Sequence, residues 1–143
     1  MRPIYETDKD RDEEAQAAKV IEKAFGCEVV QNKRKYPADY TISRNGSTVA
    51  FAEIKARTFP RKRYPDYMIS LKKVVDTKAI AAEGNLPMLL FVKWTDGLFY
   101  LSLNDTFPSR IALGGRKDRN DLDDIEPCAF YAVEQFREVN NAA

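Results

Sequence analysis

The stretch from Tyr40 to Lys55, Y-T-I-S-R-N-G-S-T-V-A-F-A-E-I-K, constrains the fold more than any other part of the chain. Asn45-Gly46 is the strongest short-range signal for a two-residue hairpin, because both residue types tolerate the positive φ that such a turn demands. Tyr40 to Arg44 and Thr48 to Lys55 are therefore expected to pair antiparallel on either side of it. Alternate residues of a strand share a face. Val49, Phe51, Glu53 and Lys55 then point one way, and Ala50, Ala52 and Ile54 the other. A mostly apolar strand ends by presenting a carboxylate and an ammonium side by side. Pairing through the turn brings the far ends of both strands together, which carries Asp39 toward Glu53 and Lys55.

Upstream, a first helix is expected to be capped by Thr7 and to run to about Phe25, with acidic residues in its first turns and Gly26 at its stop. Ala18, Ile21 and Phe25 form an inward stripe, which reaches Glu14 one turn earlier. Glu28 to Lys33 reads as a strand. Arg57 to Pro65 is a basic loop broken by Pro60 and Pro65. Ser70 is placed to cap a second helix to about Glu83, with Leu71, Val74, Val75, Ala79 and Ala82 facing inward and Gly84-Asn85 ending it. Met88 to Trp94 and Leu98 to Ser102 form a strand pair around Asp96-Gly97. Helix, three strands, helix, two strands is an α+β order with helices packed on a mixed central sheet. Gly114 to Asp124 reads as a polar, charged loop, and Ala129 to Val133 as a last strand before a short helix or extended end. A chain of 143 residues holds one domain with a real core. Residues 1–143 are read as that domain, with its core at about 7–103 and 104–143 as a C-terminal extension.

Composition narrows the chemistry. There is no histidine, which removes Ser-His and Cys-His triads and histidine-ligated zinc. Cys27 and Cys128 lack a neighbouring Cys or His, so neither a zinc site nor a disulfide framework is expected. The polar, acidic N-terminus does not read as a signal peptide, and the longest apolar runs suit core strands rather than membrane spans. A cytoplasmic protein is expected. Net charge is only +1, but residues 31–78 hold 12 Lys/Arg against 4 Asp/Glu, whereas both flanking segments are acidic. Such a basic block marks a polyanion-facing surface, although a solvated charged face would leave the same trace.

Two carboxylates converging on one point suit a hard divalent cation such as Mg2+, with Mn2+ as a substitute. A lysine beside them can position and help deprotonate a water, or stabilise charge building on a phosphate. A surface ion pair would make the same pattern, worth about 0–1 kcal/mol. Arg57, Arg61, Lys62, Arg63, Lys72 and Lys73 are placed to hold a nucleic-acid backbone. Tyr64 and Tyr67, interleaved with these cations, are read first as packing residues, with base stacking as their other use. The Arg116-Lys117-Asp118-Arg119 run, with Asp121, Asp123 and Asp124 close by, reads as a solvated loop.

Asp39, followed fourteen positions later by Glu53-Ile54-Lys55, resembles the signature of the PD-(D/E)XK nuclease superfamily, which includes restriction endonucleases, Holliday-junction resolvases and small phage or bacterial nucleases. The resemblance covers roughly Asp10 to Trp94, and implies a restriction-endonuclease-like core running helix, three strands, helix, strand. It departs from the motif where Ala38 separates Pro37 from the aspartate. It implies that Asp39, Glu53 and the Ile54 carbonyl bind the metal, that Lys55 serves catalysis, and that a first-helix glutamate completes the site. Glu14 matches that last place, with Glu13 second. A polar residue on the second helix would be Lys72 or Lys73, and register leaves both open. Asp76-Thr77-Lys78 also fits (D/E)-x-K, but on a helix residues two apart diverge.

The expected activity is metal-dependent hydrolysis of DNA phosphodiester bonds, with RNA still open as a substrate and a homodimer expected only by analogy. The alternative is a module on the same fold that binds nucleic acid or a protein partner without cutting.

Overall fold

A computed structural model of the chain describes residues 8–114 and 125–140. The expected Thr7 cap and the charged residues 115–124 lie outside them. Helix α1 (Asp8–Phe25) stops at Gly26, where φ is +62°. Strands β1 (Glu28–Gln31), β2 (Tyr40–Arg44) and β3 (Ser47–Ala56) follow, all antiparallel. Asn45 and Gly46 take φ of 53° and 80°, the positive values the hairpin turn requires. The basic loop contains one short 3-10 turn, Arg61–Arg63, and leads into β4 (Asp66–Ser70). Helix α2 (Leu71–Glu83) begins at once, because the Ser70 hydroxyl accepts the Lys73 amide at 3.3 Å and satisfies an N-terminal donor. The chain continues through β5 (Met88–Trp94), β6 (Gly97–Ser102), β7 (Arg110–Gly114), β8 (Glu126–Ala132) and, after a 3-10 turn at Val133–Gln135, β9 (Arg137–Glu138).

Six strands form a mixed sheet in the order β1-β2-β3-β5-β6-β9, parallel only between β3 and β5. β5 is its apolar axis: Met88, Leu90, Phe91 and Val92 are fully buried. Helix α1 covers one face, where Ala17 and Ile21 meet Ala50, Ala52, Ile54 and Phe91. Helix α2 covers the other, where Val74 and Ala81 join the Leu90, Val92 and Trp94 cluster. The fold class is thus the expected α+β with a mixed central sheet between helices. No helix among the described residues is long and apolar enough to cross a membrane.

Four readings need correction. First, β4 and β7 were not anticipated. They build an antiparallel second sheet, β4-β8-β7, in which β4 sits within the β3-to-β5 crossover and pairs with a strand some sixty residues later. Gly114 ends β7 instead of opening a loop. Second, Val75, Ala79 and Ala82 do not face inward. Val75 is 57% exposed, and the buried stripe is Val74, Thr77 and Ala81, with the Thr77 hydroxyl donating to the Lys73 carbonyl at 2.6 Å. Third, Phe25 is 39% exposed and the α1 stripe runs through Glu14, Ala17 and Ile21 instead. Fourth, Val49 leaves the Phe51 face. Ser43 pairs with Thr48 while Ile42 pairs with Ala50, so Val49 is the extra residue of a β-bulge and packs on the α1 side.

The face assignment on α2 can be tested directly. Val74→Ala should cost about 1.5–3 kcal/mol in urea denaturation, whereas Val75→Ala should stay within about 0.5 kcal/mol of the parent. Equal losses at both positions would mean that α2 is rotated from the orientation described.

Candidate active site

The bulge sets the site. Beyond it Tyr40 pairs with Ala52, so Asp39, one residue earlier, reaches the level of Glu53. An unbroken ladder from the turn would have set Asp39 opposite Ala52, on the face covered by α1. Instead the Asp39 amide donates to Glu53 Oε2 at 3.3 Å, and both carboxylates lie on the α2 side of the sheet. Lys55, two residues beyond Glu53, holds its Nζ 3.6 Å from Asp39 Oδ2 and 3.8 Å from Glu53 Oε1.

The fourth member comes from α2. Lys73 Nζ sits 3.0 Å from Asp39 Oδ1 and 3.2 Å from Glu53 Oε2, bridging the two acids. Lys72, one residue earlier, turns to solvent and pairs with Asp76 along the helix. The structure thus separates two lysines that register alone could not. A cleft of about 380 Å3 surrounds the group, closed on its far side by residues of the second sheet, among them Tyr67, Ser70, Glu126 and Cys128. Sequence reading missed all of these except Tyr67 and Ser70, for which it proposed packing or stacking and a helix cap. Their strands pair with distant segments and carry no local turn signal of their own.

Burial and charge shift the titration of the cleft residues in opposite directions. Burial, and then the neighbouring Asp39 charge, push the Glu53 pKa up to about 7. Burial would also raise Asp39, but Lys55 and Lys73 together outweigh it and hold Asp39 below the ordinary value. Burial opposes the Lys55 charge, yet Glu53 and Asp39 more than offset it, so Lys55 stays firmly an ammonium.

The other expected residues are scattered. The Ile54 side chain is fully buried against α1, as its place in the alternation requires. Glu14 is buried on that same side and accepts the Tyr40 hydroxyl at 3.3 Å. It does not line the cleft, and its charge still adds to the field that raises Lys55. Arg57 does line the cleft, where its Nη2 donates to the Tyr67 hydroxyl at 2.8 Å. Arg61 is a structural staple, with Nη1 on the Val133 carbonyl at 2.8 Å and its amide on Asp96. Lys62 and Arg63 are exposed on the loop. Among the described residues, no three Asp, Glu, Cys or His side chains gather as a metal-binding group. The carboxylate pair nevertheless suits a hard cation: both acids are oxygen donors, and an ammonium already occupies the space between them.

A family model described as "Phage putative PDDEXK endonuclease" matches residues 1–139. No curated protein matches the chain. Among solved structures it is similar to Hjc of Archaeoglobus fulgidus, described as a Holliday junction resolvase from an archaeal hyperthermophile. The identity is 14%, the match covers 70% of this chain and 77% of that one, and the TM-score is 0.47.

The raised Glu53 pKa has a consequence for stability. Its folded value lies above that of the unfolded chain, so the associated stability is present at low pH and is lost as pH rises through about 7. In EDTA, Glu53→Gln should therefore be more stable than the parent at pH 8, by about 3 kcal/mol at most. The advantage should vanish near pH 4.5. Urea midpoints at the two pH values measure it, and an advantage independent of pH would show that Glu53 ionises without strain.

Proposed function

The chain belongs to the family of phage PDDEXK endonucleases, and from that membership we propose that it is a divalent-metal-dependent nuclease that hydrolyses phosphodiester bonds in DNA. The observation that carries the reading is the convergence of Asp39, Glu53 and Lys55 on the α2 side of the sheet, within 4 Å of one another. Mg2+ is the ion proposed, with Mn2+ as substitute. Asp39 and Glu53 would hold it, with the Ile54 carbonyl as a third oxygen donor. Bound there, the ion supplies positive charge that polarises a phosphate and makes water more acidic.

The remaining roles fall to the chain itself. Lys55, an ammonium whose charge is reinforced by both acids, stabilises negative charge on the phosphate and orients a water by donating to it. Lys73, between the two carboxylates, fixes their spacing. Glu14 supports the site at a distance, through its charge and its contact with Tyr40. Arg57 at the cleft wall engages the strand, and the exposed Lys62 and Arg63, with Lys72 on α2, extend a cationic track for flanking phosphates. Arg61 contributes to that track mainly by holding the loop in place.

Cleavage assays test this. Linear, supercoiled, single-stranded and branched DNA, with an RNA control, would be incubated in Mg2+, Mn2+ or EDTA. Nicking or cutting is expected in either metal and none in EDTA, with Asp39→Ala and Lys55→Ala each lowering the rate about 100-fold or more. Equal cutting by both variants would place the site elsewhere. Salt-sensitive binding without cutting in any metal would leave a binding module.

A further inference from the structure

A second cavity, of about 460 Å3, adjoins the carboxylate cleft, and Arg57, Tyr67 and Met68 line both. Its walls are largely aromatic. Phe59 and Tyr64 meet edge to face at 5.3 Å, and Trp94 and Phe130 also line it. The Arg110 guanidinium lies 3.8 Å from the Phe130 ring centre. Three arginines, Arg57, Arg61 and Arg110, are among its lining residues, against one carboxylate, Asp66, which Arg110 meets at 3.5 Å. Arg61 Nε is buried with no hydrogen-bond partner among the described residues. At the rim, Tyr64 is 52% exposed and Met68 38% exposed.

These features select a class of occupant. The volume is that of a small-molecule site. Aromatic walls and guanidinium planes both stack on flat rings, and guanidinium groups also pair with phosphate oxygens. An aliphatic or lipid chain offers neither a flat ring to the aromatic walls nor an acceptor to the guanidinium groups, which are otherwise held by Tyr67, Val133 and Asp66. A base inside a duplex cannot present its face to such a cavity, because its neighbours cover it, but a base outside the stack can.

We propose that this cavity receives an unpaired nucleobase of the DNA strand whose phosphate enters the carboxylate cleft. Tyr64 and Arg110 meet the ring, and Arg57, common to both cavities, holds the connecting phosphate. The placement of that phosphate rests on the nuclease reading; capture of the base does not. The protein then prefers DNA that is single-stranded, looped or branched next to the bond to be cut.

Binding in EDTA separates the two ideas. Short duplexes carrying 2-aminopurine, either fully paired or unpaired within a small bulge, would be titrated by fluorescence anisotropy, together with 2-aminopurine emission. The unpaired form should bind about tenfold more tightly, with its emission changed on binding. Tyr64→Ala and Arg110→Ala should each reduce that ratio toward one, whereas Phe107→Ala, which removes an aromatic ring that is 86% exposed and does not line the cavity, should leave it intact. Equal affinity for both duplexes, or a ratio unchanged in both pocket variants, overturns the proposal. So does full competition by a free deoxynucleoside monophosphate at the strand's concentration, which would make the cavity a nucleotide site. Should the preference appear while no metal supports cleavage, the pocket stands and the nuclease reading falls. Cleavage without any preference leaves the nuclease standing and overturns the pocket.

Discussion

One extra residue in β3 decides where the two carboxylates of the candidate site meet. A two-residue turn fixes the register of a hairpin, and strand alternation then fixes the face of every side chain. Val49 interrupts that count, so everything beyond it is shifted by one position relative to the partner strand. Tyr40 and Ile42 thereby join Ala50 and Ala52 beneath α1, and Asp39 joins Glu53 beneath α2. The carboxylate pair, the part of the raised Glu53 pKa that Asp39 adds to burial, and a lysine bridging both acids follow from that displacement.

Two acids held this close, one of them almost fully buried, would be strongly unfavourable without nearby positive charge. Compensation comes from two directions. Lys55 arrives on the same strand two residues on, where alternation guarantees a shared face. Lys73 arrives from α2, and its position depends on the second sheet. β4 pairs with β8 along its whole length and runs without a break into the Ser70 cap, so the first turn of α2 has little freedom to slide. The small sheet is therefore part of the site even where its side chains touch nothing reactive, because it holds the helix that delivers an ammonium to the acids.

The parts of this fold legible in the sequence are those written in local signals. Asn45-Gly46, Gly26 and the Ser70 cap place their turns and helix ends where the structure has them, and Asp76-Thr77-Lys78 falls within α2 as its setting implied. The order of elements through β6 was readable for the same reason, apart from β4. Nothing local announces the bulge, since V-A-F-A alternates as well without it as with it. The α2 face was misread because apolar Val75, Ala79 and Ala82 outnumber the two apolar members of the true stripe, Val74 and Ala81, between which a threonine takes a buried place by donating to its own helix. β4 and β7 are short and acquire partners only through β8. The choice between Lys72 and Lys73 also needed tertiary information, because it turns on how the helix is rotated over the sheet.

With Glu53 ionised, the four charges at the cleft, two of each sign, sum to zero within the protein alone. A cation drawn to this carboxylate pair therefore meets no bare negative field; it meets a tethered ion already in residence. Arrival is an exchange, in which the tether makes the competition unimolecular on one side. A monovalent ion brings no more charge than the lysine it would have to move, so electrostatics gives it no reason to prevail. A doubly charged ion does have one.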